Sequence, residues 1–378
     1  MTGRDKIEAA LSPDGTGEIP VVICYEGIYI RDHWTQLTSY PWWYRHTPDI
    51  ERQMAWRRDT IGAIGQDWFD LPRFNSRSKR TSLSIEVRGK DVFEVDRRTG
   101  RTIRLQPSPT GGAHIDVHLA HGATTREAID AVVPVVDDDC GSRSAAKDDG
   151  RDDLEAALLH EVGVELFPLA LVGTPLESCV LQLWGFETTM RMVAESPDLV
   201  AHACDRFLSH SISTVRQAAR RGAAGVFIED IFTDIISPSA FSRLALPFSR
   251  RIVAEVHALG MKSVYYFCGN PAGKWDLLLS IGADALSLEE SKKGFAIDIE
   301  DVVERVGGRC TVLGNLDAIG VLQNGTEDQL RAEIRRQIAA GRQNGSRFIM
   351  SLGSPVTPAT PADRVRLYCN LARELGSA

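Results

Sequence analysis

The chain has 378 residues, room for one large domain or two average ones. Hydrophobic residues make up 43% and charged residues 25%, which allows a large core and excludes wholesale disorder. Acids outnumber bases 51 to 43, a formal charge of −8, and this argues against a protein that holds nucleic acid by neutralising phosphates.

No apolar run approaches the roughly 20 residues of a membrane span, so no membrane partner is expected. Met1–Lys6 leads into a polar helix rather than the apolar core of a signal peptide. The cysteines, at positions 24, 140, 179, 204, 268, 310 and 369, are odd in number, scattered and never in a CxxC. That usage argues against a disulfide framework and for a reducing cytoplasm.

In chain order, Ile19–Cys24 is the first strand candidate and is followed by Glu26. Residues 25–44 then hold seven of the chain's fourteen Trp and Tyr residues: Tyr25, Tyr29, Trp34, Tyr40, Trp42, Trp43 and Tyr44. Such density can line a flat pocket or pack as a lid. Asp67–Phe69 is the second strand candidate, followed by Asp70. Leu83, Ile85 and Val87, then Phe93 and Val95, then Ile103 and Leu105, alternate with polar residues between turns at 89–91 and 99–100. This predicts a half-exposed, three-stranded antiparallel meander. A histidine cluster follows (His114, His118, His121); it lacks the further ligand and base of a zinc hydrolase and reads more readily as a surface cluster. Residues 137–153 carry seven acids against three bases and read as a solvated linker without calcium-loop spacing.

From there a β–α rhythm sets in. Val164–Leu171, Gly225–Glu229, Ser263–Cys268, Ala283–Leu288, Cys310–Gly314 and Arg347–Ser351 are largely apolar, as strands buried on both faces are. Ser237-Pro238 opens a helix whose apolar residues (Phe241, Leu244, Phe248, Ile252, Val256) recur at spacings of 3, 4, 4 and 4. Thr326 and Gln329 form a capping box ahead of Leu330, Ile334 and Ile338, and Thr360-Pro361 opens a last helix bearing Val365, Tyr368 and Leu371. About eight strand candidates in this alternation predict an α/β fold of the (β/α)8 TIM-barrel type. A single barrel domain over 1–378, interrupted by an insertion at 81–153 (meander 81–106, acidic linker 137–153), accounts for the length beyond a plain barrel.

In such a barrel the residues just past the strand ends face one mouth. They are Tyr25 and Glu26, Asp70, Glu229 and Asp230, Cys268, Glu289 and Glu290, Asn315 and Asp317, and Ser354. Singly, a strand-end acid more often caps a helix or pairs with an arginine; as a set, these acids and one thiol converge. No phosphate-binding glycine loop and no GxSxG elbow is present.

The C-terminal half resembles the uroporphyrinogen decarboxylase superfamily, which includes corrinoid-linked methyltransferases. The resemblance rests on an ordered set spanning roughly 165–375: Gly173-Thr174-Pro175, Gly185-Phe186-Glu187 with Ser196-Pro197-Asp198, Phe227–Asp230 with Ile236-Ser237-Pro238, Gly282–Leu286, Gly314–Asp317 and Thr357–Pro361. It implies a (β/α)8 barrel. The arginine-rich MRQAGR motif with which true decarboxylases grip porphyrinogen carboxylates is replaced here by Cys24–Arg31, and the meander is similar to an insertion in O-demethylase-type methyltransferases. The resemblance therefore implies a methyltransferase that moves a methyl group from a small substrate, such as an aryl methyl ether, to a corrinoid (cobalamin) or a corrinoid protein. Glu26, Glu229 and Asp230 would supply acids, and Tyr25, Tyr29, Trp34, Tyr266, Asn315 and Ser354 the substrate contacts. The branch's zinc ligands are altered: Tyr266 and Ser354 stand where histidine and cysteine would, leaving Cys268, with Glu229, as the metal candidates. Two other readings stay open. One is a decarboxylase or lyase on a small carboxylic acid, with Asp70 or Glu26 as proton donor and Arg31 and Arg73 as carboxylate ligands. The other is a silent barrel that binds a tetrapyrrole or a protein partner. A homodimer is the assembly to test.

Overall fold

Ten strands form two sheets in the computed structural model, which describes residues 1–111, 122–136, 149–292 and 294–377. In chain order the strands are Trp68–Asp70 (β1), Leu83–Arg88 (β2), Asp91–Asp96 (β3), Arg101–Leu105 (β4), Phe167–Gly173 (β5), Gly225–Asp230 (β6), Lys262–Phe267 (β7), Ala285–Leu288 (β8), Thr311–Leu313 (β9) and Phe348–Ile349 (β10). β1 and β5 to β10 are parallel neighbours in sequence order, with helices packed outside them. β2, β3 and β4 make the separate antiparallel meander, turning at Gly89 and Gly100, both at positive φ where a side chain would be strained.

The expected first strand, Ile19–Cys24, pairs only through Val21, which bridges Met350 in parallel. The reason is chemical. Pro20 has no N–H to give. The Val21 N–H goes to the Asp67 carboxylate at 2.7 Å, and the Ile23 N–H to the Gln66 side chain at 3.0 Å. Main-chain bonds remain from Met350 N to Pro20 O (2.8 Å), Val22 N to Met350 O (2.9 Å) and Asp67 N to Val21 O (2.9 Å). The segment thus lies between β10 and β1 and closes the seven strands into a (β/α)8 barrel, partly on side chains.

Other boundaries shift for local reasons. β5 begins at Phe167 rather than Val164, which is 72% exposed in the turn after Gly163. The helix opened by Ser237 ends at Leu244 and a second runs over Leu246–Ala258. Pro247, which lacks an N–H and crowds the preceding turn, accounts for the break. Phe241, Leu244, Phe248, Ile252 and Val256 are buried all the same. Thr326 and Gln329 form the capping box, and Val365, Tyr368 and Leu371 are buried on the helix Ala362–Gly376. His114, His118, His121 and most of the acidic stretch 137–153 lie outside the described residues.

Packing leaves little slack on the β10 side. A Cβ added at Gly341, in the helix Glu327–Gln343, would come 2.2 Å from the ring of Phe348, which is fully buried. Gly341→Ala is expected to lower stability by about 1–3 kcal/mol, read as a lower urea midpoint at unchanged m-value.

Candidate active site at the barrel mouth

Alternate residues of a strand face opposite ways, and this sorts the candidates. On β6, Phe227 and Glu229 face the interior. On β7, Tyr266 does so; its register partner is Glu229. Tyr25, Trp68, Phe227 and Tyr266 form one aromatic cluster, with Tyr25 edge-on to Phe227 (6.1 Å) and Tyr266 (5.7 Å), and Phe227 stacked on Tyr266 (5.6 Å).

Asp230 and Tyr265, the next residues out of phase, point outward. The Tyr265 hydroxyl donates a very short hydrogen bond to Asp230 and lies 3.3 Å from Ser249 on the outer helix. Asp230 is fully buried there, its carboxyl pushed up to about 6 chiefly by burial. The catalytic role expected for Asp230 is therefore corrected: the pleat turns it away from the mouth.

Glu26 opens the helix Glu26–Asp32, directly after Tyr25, whose φ of 57° is rare for a residue with a side chain. The buried Glu26 carboxyl accepts from Gln66 Nε2 at 2.8 Å and from the Asp70 main-chain N–H at 3.2 Å. The Asp70 side chain makes no hydrogen bond among the described residues and lines a cavity of about 190 Å³ together with Glu26, Arg45, Trp56, Arg57 and Phe69. Burial, then the neighbouring Asp70 charge, raises Glu26 well above the carboxylate range. Burial, then Glu229, pushes Asp70 up to about 7. Two carboxyls this close titrate as a pair, and both shifts favour the protonated forms. Glu229 is raised by burial, partly offset by the Tyr25 hydroxyl against it. Glu177, absent from the sequence candidates, extends the series; burial, then Glu229, raises it too. Its only sequence signal was its place in a capping box with Thr174.

A second group of side chains gathers at the ends of β8 and β10. Lys292 donates to Glu290 and to Ser354 at 2.6 Å each, and Ser354 donates to Glu290 at 2.8 Å. The Tyr266 hydroxyl donates to the Gly353 carbonyl at 3.3 Å. Asn315 is committed to the carbonyls of Glu289 (3.1 Å) and Ile297 (2.9 Å), so it holds a loop. Asp317 caps a helix, accepting from the N–H groups of Ile319 and Gly320.

Several expected ligands turn elsewhere. Tyr29 is buried with its ring 4.5 Å from that of His33, and Cys369 and Arg366 of the last helix lie around it. Trp34 packs at a tilt against Trp56, ring centres 5.0 Å apart, and donates to the Tyr40 carbonyl at 2.7 Å. Arg31 is occupied by Asp32, and Arg73 is exposed. The aromatic run packs largely as a lid, and Trp56 rather than Trp34 reaches the cavity.

The Cys268 thiol is pushed up to about 12, first by burial and then by Glu289, while Glu229 faces Tyr25. Among the described residues no three His, Cys, Asp or Glu side chains are grouped to hold a metal ion. Cys24, the nearby second thiol, is also raised, first by burial, and protonated thiols beside tyrosine and serine are a poor zinc set, so the residues present do not fit that metal.

The strand ends thus define a (β/α)8-barrel protein with an acid-lined mouth. The chain belongs to the uroporphyrinogen decarboxylase (URO-D) family, whose model matches residues 158–375. It is 24% identical over 345 residues to the uroporphyrinogen decarboxylase of Crocosphaera subtropica, covering 86% of this chain and 93% of that protein. Against the enzyme of Nostoc punctiforme it is 27% identical over 349 residues, covering 87% and 94%. The solved structure of a methyltransferase from Methanosarcina mazei shares the fold over 99% of both chains, with a TM-score of 0.64 at 17% identity.

Proposed function

We propose that the chain is a methyltransferase in which the Glu26–Asp70 pair protonates the leaving atom of a small methylated substrate as its methyl group passes to a corrinoid or a corrinoid protein. The observation that carries this reading is a carboxyl pair at the mouth, Glu26 buried and Asp70 half-buried, with Asp70 pushed up to about 7 and open to a cavity. A general acid works best when its pKa lies near the operating pH. Departure of the methyl group leaves electron density on an oxygen, and a proton delivered there lowers the barrier. The reduced corrinoid supplies the nucleophile. Gln66 and the Asp70 N–H hold the Glu26 carboxyl in place beside Asp70. Fold likeness to a protein named as a methyltransferase agrees with this reading.

A second reading is favoured by a different observation. Arg45 and Arg57 line the same cavity, and the curated relatives are named decarboxylases. Loss of carbon dioxide from a small carboxylic acid, with Asp70 protonating the carbanion, would use the same groups. A cavity of about 190 Å³ suits a single ring; an engineered cavity of roughly 150 Å³ takes benzene.

Incubation with cob(I)alamin and a panel of methoxyarenes separates the two. Methylcobalamin formation, followed by absorption, is the expected result. Carbon dioxide release without cobalamin selects the decarboxylase, and no transfer from any O-, N- or S-methyl donor contradicts the first reading.

A further inference from the structure

The cavity beside Asp70 has a cationic wall. Arg45 and Arg57 both line it together with Glu26 and Asp70, and Ile30, Trp56, Ile61 and Leu158 make the rest largely apolar. Neighbouring arginines are ion-paired, Arg31 with Asp32 and Arg58 with Glu161. Arg45 and Arg57 have no carboxylate partner among the described residues. Arg57 is held by Gln53, donating to its carbonyl oxygen at 3.1 Å and to its side-chain oxygen, and stacks 4.0 Å from the centre of the Trp56 ring. Gln53 in turn donates to the carbonyls of Tyr44, Arg45 and Thr47, at 3.1, 3.1 and 2.8 Å, and so fixes the turn that carries Arg45 beside the helix that carries Arg57. Glu26 and Glu155 act on Arg57 only through space, so two guanidiniums share a largely apolar cavity with no ion pair formed, an arrangement that an entering anion would stabilise.

We propose that Arg45 and Arg57 bind the carboxylate of a small, single-ring substrate whose body lies on the apolar wall beside Trp56. A guanidinium fork pairs with a planar carboxylate through parallel N–H groups. Burial lowers both guanidinium pKa values; Arg31 adds to the effect at Arg45, while Glu26 and Glu155 oppose it at Arg57, which still falls to about 9. An arriving anion offsets that desolvation. The inference rests on the functional reading above in placing the reacting end of the substrate at Glu26 and Asp70. Its test does not, because it uses a probe with nothing to transfer.

The probe is benzoate, with benzamide as its neutral counterpart, titrated calorimetrically into the full chain. Benzoate is expected to bind saturably, with benzamide weaker by tenfold or more. Arg45→Gln and Arg57→Gln should each cost benzoate tenfold or more and leave benzamide unchanged. Arg45→Gln removes no side-chain hydrogen bond among the described residues, so its circular dichroism and melting should match the parent. Equal binding of the two probes, no saturation at millimolar benzoate, or full benzoate affinity in a folded Arg45→Gln variant would overturn the proposal. Benzoate binding without methyl transfer from any methoxybenzoate keeps the subsite and removes the transfer reading. Carbon dioxide release from a bound carboxylic acid, with no cobalamin added, assigns the carboxylate to the decarboxylase instead.

Discussion

Asp70→Asn is expected to lower kcat by a factor of about 10²–10⁴ with little change in KM, since it removes a proton donor and keeps the shape. The pH profile has a fixed sign. The working form is the protonated one, so wild-type activity should fall as pH rises through about 7, the value to which burial and Glu229 push Asp70. In the unfolded chain Asp70 returns to the ordinary carboxylate range. Its folded pKa is raised, so the stability linked to its proton is full at acid pH and is lost as pH rises toward and through about 7. A neutral asparagine escapes that loss. Asp70→Asn should therefore be less active and, above pH 7, more stable than wild type by up to a few kcal/mol. A merely structural residue would lose stability along with activity. Unchanged kcat, or activity flat across pH 6 to 8, contradicts the role.

Asp67→Ala should be the most damaging single change to the barrel seam. Asp67 is 3% exposed, and its carboxylate accepts the Val21 N–H at 2.7 Å and faces Arg373 at 3.2 Å. Removing it leaves a buried main-chain donor without a partner and cuts the side-chain half of the closure. A loss of about 2–3 kcal/mol is expected, because hydrogen bonds to charged groups are worth more than neutral ones and the abandoned donor adds its desolvation cost. Arg373 is one-third exposed, so its ion pair adds little. Asp67→Asn keeps an acceptor for Val21 and should recover about half of the loss. Urea unfolding reads both; a change under about 0.5 kcal/mol in Asp67→Ala would show that the seam holds without its side chain.

The fold was legible where burial on both faces wrote itself as apolar runs, as at β6, β7 and β8. The meander was legible because its alternation has period two. The first strand was harder: its closure runs through the side chains of Asp67 and Gln66, which no hydrophobic pattern records. Of the site, Glu26, Asp70 and Glu229 could be found from their places at strand ends. Asp230 was misplaced because sequence adjacency hides which face a side chain takes. Arg45 and Arg57 lie on a short turn and on the outer helix Ile50–Ile64, away from any strand end, and only packing through Gln53 brings them to the cavity. Tyr29 and Trp34 looked like pocket residues because aromatic density marks lids and pockets alike.

The central claim is that the Glu26–Asp70 pair holds a proton at neutral pH. Carbon-13 NMR of aspartate-labelled protein, titrated across pH 4 to 9 and compared with Asp70→Asn, tests it directly. The account predicts one carboxyl resonance titrating near 7 that vanishes in Asp70→Asn. An Asp70 carboxyl fully ionised by pH 5 would contradict it.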